Sequence, residues 1–512
     1  MRLANIFWGE NAQFRFLFIA SVLILFTLLG AREIWTQEHR WADIVAGMFS
    51  RNDFFHPYLG DQTYYDKPLL SYWLMAMFAA ISGELTTWAL RLPSALAGLL
   101  AIFSIYRLGT QLKDKSFGLM CGWLLLTTFY FIFWARVSSA DMLNLAGTLF
   151  AVTWYMEKRE QPSFFNYAVF FLILAVTALC KGLVGAIVPL IAVFADIMLQ
   201  GSWKKHLRWP LLLSVLPAGL VYVAPFIASS YVGGEGYSQN GLYLVYRENI
   251  LRYFQPFDHK GPIYTYFLYL PIYLLPWAIF FIPAVFSLKS RWKNLSLSSR
   301  WIVWTLLLLF LFFTLSGSRR SYYVLPLVPF AILLTADWIT SHRAFATLNR
   351  WSAKLVMGAL IILFLLIDIL PAWYYDQFGV QRFAALLKEE TSKIKPWENW
   401  NIVLLDTETK LNFYLQLPPE IKHYGLPGGR DNQTTATLLK AWPVLNHRPD
   451  NAIFLSRKRY ENALRLLLPN YRVIEITAAP WQISFLEKQY KNAPIAFVPN
   501  FLAGMPENNL HL

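Results

Sequence analysis

Long apolar runs separated by short polar stretches set the pattern of this chain. Between residues 14 and 370, about eleven runs reach or approach the roughly 17–25 residues that a helix needs to cross a hydrocarbon layer. They fall at 14–30, 88–108, 117–134, 142–156, 165–180, 184–199, 210–228, 264–286, 301–315, 323–339 and 355–370. One further apolar run, 69–81, is about a dozen residues long and suits an interfacial or re-entrant segment better than a span. After about Tyr374 the pattern changes. Short β-like runs at 401–405, 452–455, 471–476 and 482–486 alternate with helical patterns at 436–442 and 458–468, which predicts a small α/β domain.

Composition agrees with the pattern. Hydrophobic residues make up 56% of the chain and charged residues 15%, whereas soluble domains carry about a quarter charged residues. Aromatic residues at 17% suit interfacial belts. In a soluble protein the net charge of +14 would suggest nucleic acid. Here the lysines and arginines concentrate in alternate loops, so no nucleic-acid partner is expected. Loops with Arg107, Lys113 and Lys115, with Lys158 and Arg159, with Lys204, Lys205 and Arg208, with Lys289, Arg291, Lys293 and Arg300, and with Arg343, Arg350 and Lys354 fall on one side. The positive-inside rule puts that side, and the N-terminus with Arg2 and Arg15, in the cytoplasm. The α/β domain then lies outside. The first apolar run lacks a small-residue cleavage site and reads as an anchor helix. Cys121 and Cys180 lie in apolar runs and predict no disulfide framework.

This reading gives a membrane domain over 1–373 and a soluble domain over 374–512. The first external loop, 31–87, is long and patterned with aromatics (Phe54, Phe55, Tyr58, Tyr64, Tyr65, Tyr72, Trp73), so it is expected to be ordered and functional. A second external loop, 229–262, contains Gly233, Gly234, Gly236 and Gly241, which suggest mobility. There is no internal repeat, P-loop or GxGxxG motif.

Charged groups beside apolar segments are costly and call for a function. Here they gather on the external side: Glu38, His39 and Arg40; Asp66 and Lys67; Arg136 and Asp141; Lys181; Arg247, Glu248, Arg252, Asp258, His259 and Lys260; and Arg319 with Arg320. The arginine pair defies the positive-inside rule, and an arginine pair between two helices suits an anion. With Lys181, Lys67, Arg40 and Arg252 it would surround a phosphate at the membrane surface. The competing explanation is snorkelling of each cation to lipid headgroups. Glu38, Asp66 and Asp141 are the carboxylates placed to act as a base, unless they only pair with Arg40, Lys67 and Arg136. Asp66 and His259 are the pair for a divalent metal, without close ligand spacing to support it.

The run QEHRWADIVAGMFSRNDFFHPYLGDQTYYDKPLLSYWL resembles the first external loop of bacterial C-type glycosyltransferases of the protein-mannosyltransferase-like class, in particular the lipid A aminoarabinose transferase family. Tyr64 to Pro68 with Tyr72 and Trp73 carries one motif intact. Arg91-Leu92-Pro93-Ser94, Asp141, Lys181-Gly182, Arg252-Tyr253-Phe254, His259-Lys260-Gly261-Pro262 and Tyr323 to Pro326 match further. The resemblance covers most of the membrane part and little of the C-terminal domain. It implies a polytopic α-helical membrane protein of about 11–13 transmembrane helices with the C-type glycosyltransferase fold. It also implies a polyprenyl-phosphate sugar donor used on the periplasmic face of the inner membrane. Lys67, Arg40 and Arg252 map to donor-phosphate contacts, and Asp66 and His259 fall near a metal site. Two positions depart: the family's first acid is Gln37, and its Glu-His pair reads Glu248-Asn249. Glutamine is no base, so Glu38 or Asp141 takes that role, or the acceptor differs, or the chain is inactive.

The expected activity is inverting transfer of a sugar from a polyprenyl-phosphate carrier to an envelope acceptor such as lipid A, with no organic cofactor. Protein or another glycan is the alternative acceptor. A transporter or flippase would carry internal repeats and midplane charges, which this chain lacks. A relative that binds lipid-linked sugar without transferring it has only Gln37 in its favour.

Overall fold

The computed structural model describes residues 10–35, 37–60, 62–232, 243, 245–341, 358–363, 365–370, 378–418, 421–425, 451–477 and 479–500. The glycines of the second loop, the basic residues Arg343, Arg350 and Lys354, and the helical pattern at 436–442 lie outside the described residues. The chain forms two compact units. One comprises residues 1–30, 51–58 and 63–367, and the other 31–50, 59–62 and 368–512.

The first unit is helical, and the protein is a multi-pass membrane protein. Among the described residues five helices are long and apolar enough to cross a membrane: Thr87–Leu112, Phe164–Lys181, Trp209–Val232, Leu297–Leu315 and Ser321–Ser341. The expected span at 117–134 is a bent pair, Lys115–Leu126 and Phe129–Ala135, with an angle of 71° between them. At the bend Thr127 and Thr128 return their hydroxyls to the Trp123 and Leu124 carbonyls, a side-chain bond that competes with the helical ladder. The expected span at 264–286 is also two short helices, Thr265–Tyr273 and Ala278–Phe286. Pro276 supplies no N–H in the break, and Pro271 supplies none in the last turn of the helix before it. The run at 69–81 is the helix Leu70–Ser82, closed by Gly83 at φ 80°.

Buried ion pairs tie the helix ends. Asp337 accepts from Lys113 at 2.8 Å, Arg291 at 3.1 Å and Ser299 at 2.6 Å. Asp196 holds Arg159 at 2.5 Å and the Tyr155 hydroxyl at 3.0 Å. Arg136 and Arg91 cap the end of the first helix, Glu10–Phe26. Arg136 donates to the Ile24 and Thr27 carbonyls, and Arg91 donates to that of Leu29. Satisfying terminal carbonyls with guanidinium N–H groups accounts for both buried arginines. The described part of the 31–87 loop in this unit is anchored too. The Trp73 indole donates to the Phe54 carbonyl at 2.6 Å, and His56 bridges Asp53 at 2.8 Å and Ser229 at 3.4 Å.

The second unit contains a five-stranded mixed sheet of β1 (Asn401–Leu405), β2 (His423–Tyr424), β3 (Ala452–Arg457), β4 (Tyr471–Glu475) and β5 (Pro494–Pro499). The order is β2-β1-β3-β5-β4. β1 pairs parallel with β2 and β3, and β5 pairs antiparallel with β3 and β4. Successive side chains alternate between faces. Leu404, Ile453, Leu455, Ala496 and Val498 therefore pack with Phe383 and Leu387 of the helix Val380–Ser392. Val403, Leu405, Phe454, Ile495 and Phe497 pack with Leu464 and Leu467 of the helix Glu461–Leu467. Residues 482–486, expected as a strand, lie in and just beyond the helix Pro480–Phe485. Proline suits its first turn, and the Gln482 side chain accepts from the Ala479 N–H at 2.8 Å. Residues 31–50 fold with this unit. Buried Glu33 accepts from Lys410 at 2.6 Å and from the Gln381 N–H at 2.8 Å, and the Ile34 N–H donates to the Tyr414 hydroxyl.

Candidate active site

In the first unit, four pieces of chain bring charged groups to one end of the helices. The helix Phe164–Lys181 ends at Lys181, and the helix Ala140–Lys158 begins with Asp141 in its first turn. Lys181 Nζ meets Asp141 Oδ1 at 2.5 Å and lies over the Tyr323 ring, 5.4 Å from its centroid. Gly182 then turns the chain at φ 125°, a conformation that side chains rarely adopt, and Val184–Gln200 follows.

The second piece is the π-helical turn Arg247–Leu251 leading into Arg252. Arg252 donates to Glu248 at 2.5 Å and to Asp258 at 2.6 Å. Its Nε is buried without a partner. Burial pushes the Glu248 carboxyl up, against the pull of Arg252 and Lys67. The third piece is the turn between Leu297–Leu315 and Ser321–Leu327. Arg319 donates to the Gly261 carbonyl at 2.6 Å and the Thr314 carbonyl at 3.1 Å, and its own N–H meets the His259 carbonyl. Gly317 donates its N–H to the Tyr253 carbonyl, and a Cβ there would stand 2.5 Å from Pro256. Arg319 is thus spent on latching the turn to the 253–262 loop. Arg320 reaches the Tyr322 hydroxyl at 3.0 Å.

Lys67, on the segment before Leu70–Ser82, is the fourth piece. Its ammonium has the Asp66 carbonyl at 3.1 Å as a hydrogen-bond acceptor. Burial pushes the Lys67 pKa down to about 8, helped by Arg252 and Lys181 and opposed by Glu248 and Asp66. His259 is pushed down to about 4, by burial first and then by Arg320, with Arg252 and Lys67 adding to the effect and Asp258 opposing it. His259 is therefore a neutral imidazole at pH 7. Lys67 and Arg320, which both act on His259, have no carboxylate within ion-pair distance among the described residues. A half-buried ammonium and a neighbouring guanidinium, neither with a carboxylate at ion-pair distance among the described residues, suit an anion.

The structure therefore brings together Lys67, Asp66, Asp141, Lys181, Arg252, His259 and Arg320, with Arg319 behind them. Glu38 and Arg40 belong to the second unit, on the helix Glu38–Arg51. Glu38 is fully buried and accepts from the Trp35 N–H at 2.6 Å. For the metal, Asp66 and His259 both act on or feel Lys67, and Asp258 lies 3.4 Å from His259. Among the described residues no three His, Cys, Asp or Glu side chains are grouped to hold a metal ion, and the surrounding cations oppose a divalent one. The donor set among the described residues does not fit a metal. Asn249, given no role in the sequence beyond a departure from the resembling family, accepts from the Leu183 N–H at 2.8 Å beside Gly182. Its signal was the polar residue standing where the resembling family has histidine.

Residues 66–228 match the family model for dolichyl-phosphate-mannose-protein mannosyltransferase. A protein of Shewanella sediminis named undecaprenyl phosphate-alpha-4-amino-4-deoxy-L-arabinose arabinosyl transferase is 25% identical over 67% of this chain and 64% of its own length. One of the same name from Aeromonas salmonicida is 29% identical over 64% of this chain and 61% of its own. The chain thus spans less than two thirds of the length of these relatives. ArnT from Cupriavidus metallidurans bound to undecaprenyl phosphate superposes with a TM-score of 0.68 at 17% identity, covering 94% of this chain and 97% of that one. An archaeal oligosaccharyltransferase from Archaeoglobus fulgidus gives 0.51 at 12% identity, over 91% and 73%. These likenesses show a shared fold.

Proposed function

We propose, from a chain that has the C-type glycosyltransferase fold and is similar to the undecaprenyl-phosphate aminoarabinose transferases, that it moves a sugar from a polyprenyl-phosphate carrier to an envelope acceptor such as lipid A. The active site and the C-terminal unit face the periplasm. The observation that carries this reading is the half-buried Lys67, with no carboxylate at ion-pair distance among the described residues, in one cationic cluster with Arg252, Arg320 and Lys181. The donor phosphate binds there, and the polyprenyl tail lies along the apolar helices.

In the ground state the donor is a phosphodiester with a single negative charge. As its bond to the sugar breaks, the second oxygen charge develops on the leaving phosphate. Lys67, Arg252 and Arg320 are fixed around that charge before reaction, which is how preorganised cations lower a barrier. The acceptor oxygen attacks the anomeric carbon from the opposite face and inverts it. Asp141 is the favoured base, because it lies in this cluster and at a helix N-terminus. Glu38 is wholly buried on a backbone amide. An acceptor attacking through an ionised phosphate oxygen needs little base, so Gln37 does not preclude turnover.

Release of undecaprenyl phosphate from its sugar-linked form by the reconstituted protein, with mass-spectrometric detection of the acceptor product, tests this. Lys67→Ala and Arg252→Ala are expected to abolish release. Full transfer by both Glu38→Gln and Asp141→Asn, stably expressed, would remove the base assignment.

A further inference from the structure

The cationic cluster comes from separate pieces of chain, and something must fix their spacing. The helix Phe164–Lys181 ends and Val184–Gln200 begins within three residues. Leu183, at the start of the second helix, has no side-chain cap of its own. Its N–H is one of the donors that a helix start leaves without a partner. Asn249 supplies the acceptor at 2.8 Å, from the middle of the π-helical turn that carries Glu248 and leads to Arg252. The other end of the amide donates to the Val245 carbonyl at 2.7 Å, so both polar ends of the side chain are used. The fit is tight: a Cβ on Gly182 would lie 2.6 Å from Asn249 Oδ1.

We propose that Asn249 is a positioning residue that locks the Arg252 turn to the Lys181 corner, so that one phosphate is held by both. This rests on the phosphate-site reading above. Asn249 touches neither substrate nor the reacting atoms in this account. It acts through its neighbours on either side: Lys181 with Asp141 at the corner, Glu248 with Arg252 on the turn. A smaller residue at 249 frees the Leu183 N–H and lets the turn slide relative to the corner. The charges remain, but their spacing no longer matches one phosphate. The loss is then in anion affinity rather than in net charge.

The test is titration of the detergent-solubilised full chain with undecaprenyl phosphate, alongside thermal unfolding. Wild type is expected to bind, and Asn249→Ala to bind about tenfold more weakly. The double variant with Lys181→Ala is expected to bind no more weakly than Lys181→Ala alone, because the two act as a unit. Wild-type affinity in Asn249→Ala, or independent losses that multiply in the double variant, overturns the proposal and leaves the phosphate site standing. Failure of wild type to bind overturns both. If Asn249→Ala does not accumulate, Asn249→Ser takes its place under the same outcomes, since its oxygen falls short of Leu183.

Discussion

Lys67 is the residue on which the electrostatics of the site turn. Its pKa is pushed down to about 8, so the free protein loses this positive charge as pH rises through that value. Donor kcat/KM is expected to fall along an alkaline limb near pH 8, since that ratio reports groups of the free enzyme. Lys67→Arg removes the limb, because arginine stays charged, and a limb that survives the substitution would contradict the assignment. The linked effect on stability has the opposite sense. The folded state binds fewer protons than the unfolded one between about 8 and the ordinary lysine value of 10.5, so this group's contribution to stability rises with pH there. With an acceptor that attacks through a neutral hydroxyl, Asp141→Asn is expected to lower turnover by about 10²–10⁴-fold, the range for a general base, with donor affinity little changed. The cations and acids of this cluster were legible in the sequence because ionisable groups at the ends of apolar segments rarely lack a purpose. Their division of labour was not. Arg319 and Arg320 are neighbours in a dipeptide, yet one is spent on the Gly261 and Thr314 carbonyls and the other reaches the Tyr322 hydroxyl. Which carbonyls a guanidinium reaches depends on how distant loops fold back.

At the scale of elements, periodicity identified most helices but misjudged their continuity. The run at 264–286 is apolar throughout and reads as one span, yet it breaks into two nine-residue helices at its prolines. The prolines were the readable sign, and hydropathy outweighed them. The short turn Gly182 between two helices matters more than its length suggests. Gly182→Ala meets two penalties: a strained φ of 125° and a Cβ 2.6 Å from Asn249. It is expected to cost about 1–3 kcal/mol, read as a lower Tm with weaker undecaprenyl phosphate binding. An unchanged Tm and affinity would show that the corner is softer than its geometry. In the C-terminal unit, five residues of β-like composition at 482–486 yielded to a proline-initiated helix. The strand at 494–499 escaped notice because a near-continuous apolar run shows no alternation.

For the whole molecule, residues 31–50 follow the first helix in sequence and fold with the C-terminal unit. No local pattern announces such an exchange, because it depends on partners more than three hundred residues away. The buried Glu33–Lys410 pair is its clearest anchor. Attraction to Glu33 and Glu408 outweighs burial and raises the lysine pKa. Lys410→Ala leaves Glu33 buried with only part of its partners and is expected to destabilise the unit by about 3–5 kcal/mol. Proteolysis within residues 31–50 measures this, and unchanged resistance would contradict it. Sugar transfer from a lipid-linked donor is the activity proposed for the whole chain. Mass spectrometry of lipid A and of polyprenyl-phosphate-linked sugars, in cells with the protein, without it, and with Lys67→Ala, tests that claim most directly. Loss of the protein or of Lys67 is expected to remove one sugar from an envelope acceptor while its lipid-linked donor accumulates. Unchanged donor and acceptor pools, with the wild-type protein present and folded, would contradict it.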